Sequence, residues 1–178
     1  MKQKIFLMIL AVFALTLTGC AKEAVEIGGI AQKANQDLKV IEEKRVQNRD
    51  WKRTRDLEYL ANTIRVYADD NNQFPKTLDD KGVVSTLKLI NKSEDFKLFE
   101  TAIKSLDSSL AVPIDPLDPD RYYEYNSDGK SYSVKVYLEQ DGAENCESVK
   151  KGYCQMKISE DLKTAQINYQ KFLESIEE

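Results

Sequence analysis

From Ala21 to about Asp70 the sequence contains no proline, and Gly28-Gly29 is its only glycine interruption. No other feature constrains the fold as strongly, because so long a stretch without helix breakers reads as one long helix. Ile27, Ala31, Ala34, Leu38 and Ile41 recur at spacings of four and three, one face of such a helix. Between Glu42 and Asp56, ten of fifteen residues are charged, and only Val46 and Trp51 are large and apolar. A helix here is expected to be solvated on most sides, with Arg49, Asp50, Arg53 and Asp56 forming local pairs. Apolar spacing resumes at Leu57, Leu60, Ala61, Ile64, Tyr67 and Ala68. The expectation is a helix whose C-terminal half docks on a globular body and whose N-terminal half is a stalk.

Asp69-Asp70-Asn71-Asn72 should end the helix, since these residues favour turns and Asn tolerates left-handed backbone angles. Phe74-Pro75 leads into extended chain, and Phe74 can fold back onto the apolar face of the helix. Two short helices are expected, over Val83–Ile90 and Glu94–Leu106, the second with Phe96, Phe99, Ile103 and Leu106 on one face. A proline at every third position from Pro113 to Pro119 reads as an extended connector. Strands follow over Tyr122–Asn126, Ser131–Glu139 and Tyr153–Ile158, with a hairpin at Ser127-Asp128-Gly129. From Ser159, placed as cap with Glu160 and Asp161 in the first turn, a tail helix carries Leu162, Ala165, Tyr169, Phe172 and Ile176 in continuation of Ile158. Its apolar seam would lie on the sheet or on the long helix; alternatively Tyr169, Phe172 and Ile176 dock a partner. The fold class expected is α+β: a long N-terminal helix packed against a small antiparallel sheet, with an additional C-terminal helix.

The beginning of the sequence reads as an address. Lys2 and Lys4 precede an uncharged run from Ile5 to Leu17, too short to span a bilayer, which takes about 20 residues. Leu17-Thr18-Gly19-Cys20 resembles the bacterial lipobox, and the resemblance implies cleavage after Gly19 and lipid on the Cys20 thiol. An ordinary cleaved signal with a coincidental cysteine is the alternative. Losing Lys2 and Lys4 but no acid takes the net charge from −4 to −6. Residues 20–48 would then be a lipid-anchored stalk, 49–158 a globular domain and 159–178 the C-terminal helix. Ala21, rather than an aspartate, follows the cysteine, which favours the periplasmic side of the outer membrane if the source has two membranes.

Composition narrows the chemistry. The chain has no histidine, so a Ser-His-Asp triad, a Cys-His pair and histidine-containing zinc sites are excluded. Its acidic balance argues against a nucleic-acid partner. Cys146 and Cys154, an even pair in an exported chain, read as a disulfide closing a small loop, worth about 2–3 kcal/mol. Free thiols are the alternative.

The ordered segments resemble the globular part of type IV pilins and type II secretion pseudopilins. Arg49-Asp50-x-x-Arg53-x-x-Asp56-Leu57-x-x-Leu60-Ala61-Asn62 is similar to the second half of the pilin helix. Tyr67-Ala68-Asp69-Asp70-Asn71-Asn72-Gln73-Phe74-Pro75 is similar to that family's helix exit. Pro113-x-Asp115-Pro116, then Tyr123-x-Tyr125, Asp128-Gly129 and Tyr132-x-Val134, resembles its approach to the sheet. The set covers roughly Arg49 to Glu139. It departs from the family at the membrane-spanning helix, whose place is taken by a segment carrying Lys22, Glu23, Glu26, Lys33, Asp37 and Lys39, too charged for hydrocarbon. The resemblance implies a non-enzymatic envelope protein, held to the membrane through Cys20. Its partners would be secretion or pilus proteins or other copies of itself. A lipoprotein reusing the fold to bind a small ligand or a surface, with a concave pocket lined by its strand tyrosines, is the rival. Catalysis by paired carboxylates on a glycan is a third reading. No cofactor is expected. Calcium, which major pseudopilins bind, would have Asp115, Asp118, Asp120, Asp128 and Asp141 as oxygen ligands, although the family's calcium loop is replaced by Cys146–Cys154.

Overall fold

A computed structural model describes the backbone of residues 2–79, 81–140, 146, 148–150 and 153–177. Side chains are described from Gln32 onward within those stretches, residues 149, 150 and 177 excepted. The leader, Cys20 and the side chains of Ile27 and Ala31 therefore lie outside the described side chains. The chain divides into two units, Met1–Arg45 and Val46–Glu178. Helix α1 is Lys2–Asn71. Within the first unit, every described side chain from Gln32 to Arg45 is exposed, Leu38 and Ile41 included. Among the described residues no helix is long and apolar enough to cross a membrane.

The second unit is α+β. Its sheet has five antiparallel strands in the order β1-β2-β3-β5-β4: β1 Leu87–Leu89, β2 Tyr123–Ser127, β3 Ser131–Leu138, β4 Ser148–Lys150 and β5 Tyr153–Asp161. Helix α2 (Glu94–Lys104) follows β1, and α3 (Leu162–Glu177) follows β5. Alternation along β3 sends Tyr132, Val134, Val136 and Leu138 to one face. There they join Tyr123, Tyr125, Leu87, Leu89 and Cys154 in one core with Leu57, Leu60, Ile64 and Ala68 of α1. Phe96, Phe99 and Ile103 complete it from α2, whose first turn is capped by Ser93 Oγ accepting from Phe96 N at 3.0 Å.

The exit from α1 follows the residues that read as its stop. Asn72 adopts φ +51°, and Phe74 turns back so that its ring lies 4.7 Å from that of Tyr132. Phe74 N donates to Gly129 O, and Tyr125 Oη donates to Pro75 O at 2.7 Å. The β2–β3 turn is closed by Asp128 Oδ1 accepting from Lys130 N and Ser131 N. Gly129 sits at φ +91°, where an added Cβ would meet the Lys76 side chain at 2.6 Å, so only glycine fits without displacement.

Four expectations need correction. Val83–Ile90 is not helical: Leu78 and Val84 form an isolated bridge, and Leu87–Leu89 is the edge strand β1. Leu87 and Leu89 are buried with Lys88 exposed between them, so sheet pairing prevails over local helical spacing. The proline connector is extended only in part. Asp115 Oδ1 accepts from Leu117 N, drawing the chain into turns over 116–120. Ser159 does not cap α3, because β5 continues pairing with β3 as far as Asp161. Asp161 Oδ1 takes the capping bond from Thr164 N at 2.7 Å. Finally, the charged stretch is not solvated throughout: Asp50 is buried and Arg53 is 0% exposed.

Phe74 closes the core from outside both helix and sheet, so Phe74→Ala should cost about 3–5 kcal/mol in urea unfolding. A loss below about 1 kcal/mol would show that the exit segment is not part of the core.

Candidate functional site

Extrapolating the buried stripe of α1 backwards from Leu57 by four and then three residues reaches Arg53 and Asp50. Both stripe positions are charged, and the fold satisfies them. Arg53 Nε donates to Asp115 Oδ2 at 2.7 Å and Nη2 to Asp115 Oδ1 at 2.9 Å, a bidentate pair across 62 residues. Its Nη1 reaches Asp50 Oδ1 at 2.8 Å and Glu139 Oε1 at 2.6 Å. Arg49 clasps the same glutamate through Nε and Nη2, both at 2.8 Å. Asp50 in turn accepts Glu139 N and Gln140 N, holding the chain as it leaves β3.

Burial works against the charge of Arg53, but its hydrogen bonds to Asp115 and Glu139 outweigh that and keep its pKa above the ordinary arginine value. Glu139 is pulled down to about 2, first by the Arg49 hydrogen bond and then by Arg53, against burial.

Two further bonds tie α1 to the sheet. Tyr123 Oη donates to Asp56 Oδ2 at 2.6 Å, and burial, reinforced by Asp56, raises the phenol's pKa. Arg65 binds both carboxylate oxygens of Glu160, which also accepts from Tyr132 Oη and Asn168 Nδ2. Glu160 therefore belongs to β5 and joins α1, β3 and α3, rather than serving the first turn of α3. No buried polar side-chain atom among the described residues lacks a partner.

Cys146 and Cys154 form a disulfide with Cα atoms 5.3 Å apart. Cys154 is fully buried, so the bond fastens the segment before β4 to the core. The acids weighed for calcium are dispersed over separate tasks. Asp115 is committed to Arg53, Asp118 Oδ1 accepts from Asn91 N, Asp128 closes the hairpin, and Asp120 is exposed. Asp141 lies outside the described residues. Among the described residues no group of three or more acidic or cysteine side chains is placed to hold a metal ion. On α3, Ala165 is buried and Tyr169 half-buried, whereas Phe172 is 39% and Ile176 64% exposed. Phe172 borders a groove of about 430 Å³ with Tyr59 and Val66 of α1 and with Leu106 and Leu110. The structure thus brings Phe172 to α1 but leaves Ile176 uncovered.

Comparison with protein-family models, curated protein sequences and solved structures returned no match.

Removing Asp115 leaves Nε and Nη2 of the buried Arg53 without acceptors, although Asp50 and Glu139 still hold Nη1, so Asp115→Ala should lose about 3 kcal/mol in urea unfolding. Arg45→Ala, whose ion pair with Glu42 is exposed, should stay within about 0.5 kcal/mol. Equal effects would mean that the network does not hold the helix.

Because Glu139 titrates lower when folded, its contribution is complete above pH 4.5 and fades as pH falls towards about 2. Stability measured across that window should decline, and Glu139→Gln should flatten the decline. An unchanged slope would remove Glu139 as its source.

Proposed function

We propose that this chain is a non-enzymatic, lipid-anchored envelope protein with a headpiece similar to that of type IV pilins and type II secretion pseudopilins. It acts as a structural or accessory component of a pilus or secretion-like assembly. The observation carrying this reading is that Arg53 and Asp115 are one bidentate pair. They belong to two separate sequence stretches on which the resemblance rests, the helix half and the Pro-x-Asp-Pro approach. Their union gives both motifs one physical purpose, fixing the helix to the sheet.

Other features support the same reading. The Leu17-Thr18-Gly19-Cys20 stretch supplies the anchor, and the exposed helix from Gln32 to Arg45 suits a spacer. Of the acids considered for glycan hydrolysis, Asp115, Asp118 and Asp120, the first is committed to Arg53 and the second accepts from Asn91 N, which favours the non-enzymatic reading over acid–base work. The rival, a ligand pocket lined by strand tyrosines, is disfavoured because Tyr123, Tyr125 and Tyr132 are at most 3% exposed and spend their rings on the core.

Cys20→Ser should move the protein from the membrane to the soluble fraction of cells. Fractionation unchanged by the substitution would defeat the anchor. Crosslinking of the intact protein in cells should capture envelope-assembly components, and repeated capture of none would defeat the assembly role.

A further inference from the structure

The sheet has a second face, turned away from α1, and its charge is not balanced. Register places Glu124 opposite Lys135 and Lys135 opposite Lys157, on three adjacent strands. The two lysines are directly opposed like charges, an arrangement that destabilises a sheet. Both are half-buried. Lys135 reaches Glu124 only at 3.9 Å, and Lys157 has no ion-pair partner among the described residues. This happens in a chain whose net charge is −4.

The next row along the strands is Asn126, Ser133 and Ser159. Beyond it stand Ser131 and Asp161. The two rows border an open polar depression of about 510 Å³. Of the two carboxylates bordering it, Glu160 turns to the α1 side of the sheet, where it holds Arg65, and Asp161 stands four residues along β5 from Lys157, capping α3. Neither lies in the row of the lysines.

We propose that this depression binds an acidic saccharide, with a carboxylate of the sugar seated between Lys135 and Lys157. The hydroxyls of Ser133 and Ser159 and the amide of Asn126 meet the sugar hydroxyls. Charge complementarity selects the anion, since an incoming carboxylate replaces the repulsion between the two ammonium groups with two attractions. The row of neutral groups selects the saccharide, because hydroxyls and amides both donate and accept, as sugar hydroxyls do. A lipid surface fits less well: Tyr132 is the one large apolar side chain bordering the depression, and its ring is buried in the core, so nothing apolar is offered to a bilayer. This inference stands apart from the anchor and assembly role, and neither depends on the other.

The test is calorimetric titration of the full chain in detergent with oligogalacturonate, neutral dextran oligomers and glycerol phosphate. Oligogalacturonate should bind, weakening as salt is raised. Lys135→Gln/Lys157→Gln should weaken it about tenfold or more. Dextran should not bind, and glycerol phosphate should bind more weakly than the uronate. Lys157→Glu separates binding from folding: it should raise the melting temperature by pairing with Lys135 while abolishing binding. The proposal is overturned if oligogalacturonate fails to bind at millimolar uronate, if the double variant binds as well as the original, or if glycerol phosphate binds as tightly as the uronate.

Discussion

A guanidinium with no exposure to water anchors the second unit of this protein. Arg53 cannot leave its carboxylates without becoming a buried unpaired charge, so the groups that surround it are fixed together. Asp50 comes from one turn earlier on α1, Asp115 from the connector before β2, and Glu139 from the chain leaving β3. Two segments far from α1 in sequence, the connector and the end of β3, are thereby located relative to one helical position. An apolar residue at 53 could be buried as well, but it would specify neither the connector nor the end of β3. Hydrogen bonds with fixed geometry do what non-directional apolar contact cannot.

The same logic recurs along α1. Asp56 meets Tyr123, and Arg65 meets Glu160, so from Asp50 to Arg65 the helix is pinned over roughly 22 Å at 1.5 Å per residue. Between these polar contacts lie Leu57, Leu60, Ala61 and Ile64, all at most 2% exposed. Apolar burial supplies the driving force, and the polar bonds set rotation and height. Tyrosine serves both ends of this arrangement. Its ring fills the core, while its hydroxyl finds Asp56, Pro75 O or Glu160.

Much of this was legible in the sequence because it depends on local chemistry. The α1 exit at Asn72, the hairpin at Gly129, the alternation of β3 and the cysteine pair all follow from turn residues and spacing. What was missed depends on distant partners. Leu87–Leu89 is too short for periodicity to separate strand from helix, and β2 decides it. Ser159 and Asp161 are both good caps, and the length of the β3–β5 ladder chooses between them. Arg53 reads as solvated because Asp115 and Glu139 are 62 and 86 residues away. A signal existed nevertheless: the stripe through Leu57, Leu60, Ile64 and Ala68 continues onto Arg53 and Asp50. Charges on a core stripe call for a buried partner set elsewhere in the chain. For the site on the outer sheet face no such signal was readable, since the opposition of Lys135 and Lys157 exists only once the register is known.

The two breaches of local preference in this fold differ in how they are resolved. Charged residues at core positions of α1 would be unfavourable alone, and the chain supplies every counter-charge they need. Like charges opposed on β3 and β5 are also unfavourable, and among the described residues the chain supplies a counter-charge to Lys135 alone, Glu124 at 3.9 Å. Rule-breaking that is compensated internally is architecture, and Arg53 belongs there. Rule-breaking left uncompensated persists only where the rest of the structure is stable enough to carry it, and functional sites are where such strain concentrates. The buried latch and the disulfide on β5 hold the strands that bear the lysines in register. The inner face of the sheet thus secures a geometry that the outer face, by its own charges, would disfavour.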